Sequence, residues 1–231
     1  MTYRGRNKIE VTPEMIEAGV GAFQRFSVES IHDGDVTDSE IVLAILRAVF
    51  NLMSDDTRLL NIIKEKSLIK DRPFRLASGK SSNYFFDLKP TMLDPEGINL
   101  LADAILQRTV NLDAKYLGGL EMGAVPIVVA ATLKSFGTAH PLYGFWVRKE
   151  QKDHGILNLT DGHFVAGSRV IIVDDVTTTG GSVLKAINEV RRHNCTIAAV
   201  ITIVDRLEGA KENLAAQDVE LIALYTTKDF D

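Results

Sequence analysis

The segment that most constrains this chain is Arg169-Val-Ile-Ile-Val-Asp174-Asp175-Val176-Thr177-Thr178-Thr179-Gly180-Gly181-Ser182. An apolar strand ends in two carboxylates, and a loop rich in hydroxyls and glycine then opens a helix. Backbone N–H groups and the helix N-terminus converge there on one small volume that suits a monophosphate. The threonines and Ser182 add hydroxyl donors, and Gly180-Gly181 allow backbone conformations that a side chain would forbid. Carboxylates repel phosphate, so Asp174 and Asp175 are expected to face a sugar's hydroxyls or a magnesium-bound ribose while the loop beyond them holds a 5-phosphate. A Walker loop is excluded, because the Gly-Lys-Ser/Thr ending is absent. The dinucleotide fingerprint is absent too. The plainer alternative is a β-to-α connection with a well-capped helix.

Around this segment, short β-rich runs alternate with helical ones after residue 70, the pattern of an α/β chain with a mostly parallel sheet flanked by helices. Strands are expected at Tyr116 to Leu120, Leu142 to Val147, Arg169 to Asp174, Ile197 to Val204 and Val219 to Leu224. Helices are expected from Ala124 to Ser135, Gly181 to His193 and Gly209 to Ala215. Such a sheet binds its ligand at the carboxyl ends of its strands. Earlier in the chain the pattern is helical: Thr12-Pro13 starts one helix, Asp38 or Ser39 a second and Asp56-Thr57 a third. The expected organisation is a helical N-terminal extension over residues 1–66 followed by a main domain over 67–231. Asp33-Gly34-Asp35 between the first two helices is too short for a calcium loop and reads as a turn.

Composition narrows the function. A net charge of −5 and the lack of a polybasic run argue against a nucleic-acid partner. The apolar run Ile41 to Phe50 is far shorter than a bilayer span and contains Arg47, so no membrane segment is expected. The first residues do not form a leader, which points to the cytoplasm. Cys195 is the single cysteine. It lies beside an apolar run with no surrounding motif and reads as a buried structural thiol.

The run from Val170 to Ser182 resembles the signature of the type I phosphoribosyltransferases. In that family the acid pair contacts the ribose hydroxyls of phosphoribosyl pyrophosphate and the following residues wrap its 5-phosphate. The resemblance therefore implies donor contacts at Asp174, Asp175, Val176, Thr177, Thr178, Thr179, Gly180, Gly181 and Ser182. It fixes the donor but not the acceptor, since family members act on purines, pyrimidines or orotate, and a few are regulators.

Arg148-Lys149-Glu150-Gln151-Lys152-Asp153-His154-Gly155 follows a strand and gathers four potential cations beside a glycine. Cations delivered by a closing loop would stabilise the charge that grows on a departing pyrophosphate. Taken alone, the same run also suits a solvated turn with Glu150 and Asp153 as counterions. The pattern is similar to the catalytic loop of the orotate phosphoribosyltransferases, which closes over the site and reaches the neighbouring subunit. The resemblance implies that Arg148, Lys149, Lys152 and His154 bind the pyrophosphate end of the donor, with Lys152 the main transition-state contact and Asp175 the other catalytic candidate. It also implies a two-fold homodimer with shared active sites.

Phe74 to Asp87 resembles the same family's N-terminal segment, a small hood near residues 70–90. Phe85 and Phe86 would lie against the flat pyrimidine and present backbone polar groups to it, although paired aromatics on a strand are also ordinary core. Arg206, at the end of a strand, could pair its planar fork with the carboxylate of orotate, or form a surface ion pair with Asp205 or Glu208. Thr178 matches another orotate contact. Met122 and Gly123 fall in the family's pyrophosphate loop, which retains its glycines but lacks the lysine some members place at Gly123. Ala77 stands where many members have lysine, so one donor contact is missing or replaced, with Lys80 the nearest candidate. Magnesium is expected to ride on the donor's pyrophosphate and ribose hydroxyls, with few or no direct protein ligands. The resemblance spans about residues 70 to 228. The alternatives are a purine or uracil phosphoribosyltransferase, whose neutral base would need neither the cationic loop nor Arg206, and a ligand-sensing regulator, against which the acidic net charge and the whole cationic loop weigh.

Overall fold

The computed structural model describes Val20 and residues 55–70, 74–75, 81–150 and 159–230. It divides into two compact units, Met1–Arg58 and Leu59–Asp231. In the first, Val20 and residues 55–58 are helical; the two earliest expected helices otherwise lie outside the described residues. The third expected helix, α1 (55–66), runs across the division. The division falls inside this helix and not after residue 66, because Leu59 and Ile63 are buried in the core of the second unit.

Leu59–Asp231 is built on a six-stranded sheet in the order β10-β9-β8-β5-β6-β7. The strands are β5 (Tyr116–Gly118), β6 (Tyr143–Val147), β7 (Thr160–Gly162), β8 (Arg169–Thr177), β9 (Thr196–Asp205) and β10 (Leu221–Thr226). All pairings are parallel except β6 with β7. Alternate residues of β8 feed two cores, as the two-residue period of a strand requires. Ile171 and Val173 pack with α3 (Pro95–Thr109) and α4 (Ala124–Ser135). Val170 and Ile172 pack with α5 (Gly181–Arg192) and with Leu214 of α6 (Ala210–Ala215). With both faces covered, the strand reads as a continuous apolar run.

The chain leaves β5 for one edge of the sheet and β8 for the other, so strand order reverses between these two neighbours. The loops after β5 and β8 therefore open the crevice where ligands bind in open α/β sheets. Gly119 keeps the two close: a Cβ built there would meet the Val173 carbonyl oxygen at 2.1 Å.

Four smaller strands precede the sheet: β1 (Leu68–Ile69) pairs with β4 (Phe85–Phe86), and β2 (Phe74–Arg75) with β3 (Ser81–Ser82). The short helix α2 (Lys89–Met92) follows. Ala77 and Lys80 lie outside the described residues.

Several expected boundaries shift. β8 continues three residues past Asp174, so the acids sit within the strand and not at its end. Pairing with β9 holds them there, through Asp174 opposite Thr202 and Val176 opposite Val204. β5 stops at Gly118, and Leu120 bridges singly to Val147. The helix α3 was not expected, although Asp94-Pro95-Glu96 carries its start: the Asp94 carboxylate accepts from the N–H groups of Glu96 and Gly97. β7 also escaped the pattern, being short and polar. Cys195 is buried, with its Sγ 3.4 Å from the Val165 carbonyl oxygen, as a structural thiol should be. Among the described residues no helix is long and apolar enough to cross a membrane.

Candidate active site

The site begins with the loop between β5 and α4. Leu120 is buried and anchors it, Met122 is exposed, and the Glu121–Met122 peptide is cis. The Glu121 Oε1 accepts a hydrogen bond from the Lys149 N–H at 3.1 Å, which ties this loop to the root of the cationic segment. Gly123 sits directly against the acid pair. A Cβ built there would lie 2.5 Å from Asp175 Oδ1 and 3.0 Å from Asp174 Oδ1. Only glycine lets the two loops come this close.

Asp174 is 7% exposed. Its Oδ1 accepts from the Asp175 N–H at 3.1 Å, and Asp175 Oδ1 accepts from the Val176 N–H at 2.9 Å. Burial, then the charge of Asp175, hold the Asp174 carboxyl well above the usual carboxylate range. Burial also raises Asp175, opposed by the Val176 N–H and by the positive charge of Lys89. A buried acid beside a half-buried one makes a place short of positive charge. A cation carried in on a ligand would supply it. Among the described residues no group of three or more acids, histidines or cysteines is placed to hold a metal ion by itself.

Beyond the pair, the loop is tied down through its carbonyls. The Thr177 carbonyl accepts from the Arg206 N–H, that of Thr178 from the Ala210 N–H, and that of Thr179 from the Asn213 side-chain amide, at 2.9, 3.1 and 2.9 Å. Gly180 has φ +80° and precedes α5 with no side-chain cap. The first-turn N–H groups of a helix have no intrahelical acceptor, and here Gly181 and Ser182 stand exposed at that end. The Thr177 side chain is buried and points instead toward Asp205 Oδ1, 3.4 Å away.

Arg206 follows β9 and is 5% exposed. Its Nε lies 3.0 Å from Glu208 Oε1, and its guanidinium sits 4.9 Å from the Tyr84 ring centroid. The expected alternative, a surface pair with Glu208, is thus half right: the pair exists, but its arginine is buried and braced against Tyr84. Phe85 and Phe86 part company. Phe85 is 39% exposed and stacks on Phe74 at 5.4 Å. The Phe86 ring is in the core, edge-on to Phe230 at 4.8 Å. The expectation that both rings face a pyrimidine is therefore corrected for Phe86, because consecutive strand residues point to opposite faces. Its backbone remains at the hood.

Arg148 forms an ion pair with Asp161 of β7, and its N–H donates to the Leu159 carbonyl at 2.7 Å. Lys149 places positive charge near Asp174. Lys152 and His154 lie outside the described residues. Sequence reasoning missed Lys89, which bonds to Asp87 Oδ1 at 2.9 Å while its charge acts on Asp175. It also missed Glu121 and Tyr84. No spacing could have revealed them, since only the folded hood and sheet bring them to the site.

Residues 117–223 match the model of the phosphoribosyl transferase domain. The chain is 44% identical over 177 residues to the orotate phosphoribosyltransferase of Bradyrhizobium sp. strain BTAi1, covering 75% of this chain and 95% of the relative. It is 45% identical over 177 residues to the orotate phosphoribosyltransferase of Methanocaldococcus jannaschii, covering 77% of this chain and 97% of the relative. Among solved structures, the Mycobacterium tuberculosis H37Rv orotate phosphoribosyltransferase in complex with 5-phospho-α-D-ribosyl 1-diphosphate superposes with a TM-score of 0.64 at 28% identity, over 76% of this chain and 98% of that one.

Proposed function

The chain belongs to the orotate phosphoribosyltransferase family, and from that premise we propose how its own residues carry the reaction. It transfers ribose 5-phosphate from phosphoribosyl pyrophosphate to orotate, giving orotidine 5'-monophosphate and pyrophosphate on the route to UMP. The observation that carries the reading is the contact of Gly123 with Asp174 and Asp175 at the reversal point of the sheet.

The segment from Val176 to Ser182, the end of β8, its loop and the start of α5, binds the 5-phosphate. Asp174 and Asp175 take the ribose hydroxyls of the donor, on which the magnesium would be carried. When bound with the donor, magnesium would supply charge neutralisation at the pyrophosphate. Met122 and Gly123 border the pyrophosphate, and Arg148, Lys149, Lys152 and His154 stabilise the charge that grows there as the bond breaks. Phe85, the Phe86 backbone, Thr178 and Arg206 hold orotate. The orotate nitrogen displaces pyrophosphate directly, so the protein acts by positioning and electrostatics, with no covalent intermediate.

The enzyme works as a homodimer in the cytoplasm. The dimer is supported by apolar side chains left at the surface of α4 and just beyond it, with Val129, Leu133 and Phe136 exposed by 58, 75 and 88%. The cytoplasmic setting is supported by a single, buried thiol in the whole sequence.

The testing experiment is phosphoribosyl transfer with magnesium, following loss of orotate absorbance, with hypoxanthine, adenine and uracil as rival acceptors. Turnover of orotate alone, lost in Lys152→Ala, is the expected result. Donor binding without turnover of any base would overturn the reading.

A further inference from the structure

A second concave site lies beside the one just described. It is a cleft of about 230 Å³ floored by the buried Leu120 and Val147 and walled by the outer face of α5. Neither the acid pair nor residues 176–182 line it. Four cations do: Arg148, Lys149, Lys185 and Arg192, against one acid, Glu189. In a chain of net charge −5 such a cluster runs against the general trend.

The pairing inside the cleft is uneven. Arg148 is matched by Asp161, and Arg192 by Glu189 at 2.8 Å. Glu189, 8% exposed, is shared further with His193 at 3.5 Å. Lys149 and Lys185 have no acid within ion-pair distance among the described residues. Lys149 and Lys185 therefore line the recess, over its apolar floor, without an acid partner among the described residues, and low-dielectric walls focus such a field. The volume is below the roughly 300–1,000 Å³ of sites for drug-sized ligands, which favours a small anion over a nucleotide. Asn188 adds a neutral hydrogen-bonding group to the wall.

We propose that this cleft is a second anion site, binding inorganic pyrophosphate or phosphate between Lys149 and Lys185. Its consequence for the reaction comes through Lys149, whose charge also acts on Asp174. An anion held in the cleft engages Lys149 and withdraws it from the donor, so the released product slows further turnover without occupying the donor's place. This consequence rests on the transfer reading; the binding itself does not.

The test is calorimetric titration of the full-length protein with sodium pyrophosphate, and separately with orthophosphate, for wild type, Lys185→Ala and Lys185→Arg. Lys185 is exposed on α5 and lies outside the donor contacts, and alanine favours the helix. Wild type should show two classes of pyrophosphate site. Lys185→Ala should weaken one class tenfold or more, as loss of a charge-assisted contact does, and Lys185→Arg should restore it. In the transfer assay Lys185→Ala should keep the donor KM and kcat, while inhibition by added pyrophosphate changes from mixed to purely competitive against the donor. A single class in wild type, or identical titrations of wild type and Lys185→Ala, would overturn the site. A protein that binds pyrophosphate in two classes yet transfers nothing to orotate would overturn the functional reading and leave the site standing.

Discussion

Gly123 and Asp175 are in contact across the reversal point of the sheet, with no room between them for a single methyl group: a Cβ on Gly123 would stand 2.5 Å from Asp175 Oδ1. The neighbour it would strike is a half-buried carboxylate fixed by the Val176 N–H. Gly123→Ala should therefore displace the acid pair. Misplacement of reacting groups by about 1 Å costs on the order of 100-fold in rate, so kcat/KM for the donor should fall by about that factor. Thermal unfolding checks that the variant is folded, and steady-state kinetics reads the loss.

Asp174 should trade stability for function. Its carboxyl is raised by burial and by Asp175, so between the ordinary carboxylate pKa and the folded value the native state holds a proton that the unfolded chain has released. The native state is favoured below that window, and the advantage is lost as pH rises through the folded pKa. Asp174→Asn removes the charge and keeps an oxygen to accept the Asp175 N–H. It should raise Tm at pH 8 by a few degrees, the shift that about 1 kcal/mol produces in a chain of this length. The difference from wild type should shrink toward pH 4, and transfer activity should be lost. Urea unfolding across pH measures it; a variant less stable than wild type at pH 8 would contradict the argument.

Phe85 and Phe86 should separate binding from stability. Phe86→Ala opens the core beside Phe230 and should cost about 3–5 kcal/mol. Phe85→Ala removes a half-exposed ring and should cost under about 1 kcal/mol, while raising the KM for orotate. Chemical unfolding and orotate saturation curves give both numbers.

Arg206 should act on the acceptor and not the donor. Its guanidinium is held by Glu208 and Tyr84, a geometry the flexible ammonium of lysine does not reproduce. Arg206→Lys should raise the KM for orotate roughly tenfold or more, the scale of a charged hydrogen bond, with the donor KM near wild type. An equal rise in both would place Arg206 elsewhere in the mechanism.

Much of this was legible beforehand for a physical reason. A strand buried on both faces must be a continuous apolar run, and a phosphate loop must follow it at once, so Val170 to Ser182 carries its structure in local order. Ala124 to Ser135 likewise declares its helix. The third helix was legible in its residues, but its place in the core was not, since burial of Leu59 and Ile63 depends on what packs over them.

The sequence by itself determined the fold class, the phosphate loop and the acid pair, because each is written in neighbouring residues whose local chemistry allows few alternatives. Only the tertiary structure decided that Phe86 turns inward while Phe85 faces out, that the buried Arg206 pairs with Glu208 under Tyr84, that the charge of Lys89 acts on Asp175 and that Gly123 abuts it. Those choices depend on strand register and on loops brought together across the sheet. Contacts between residues dozens of positions apart leave no period in the chain to read.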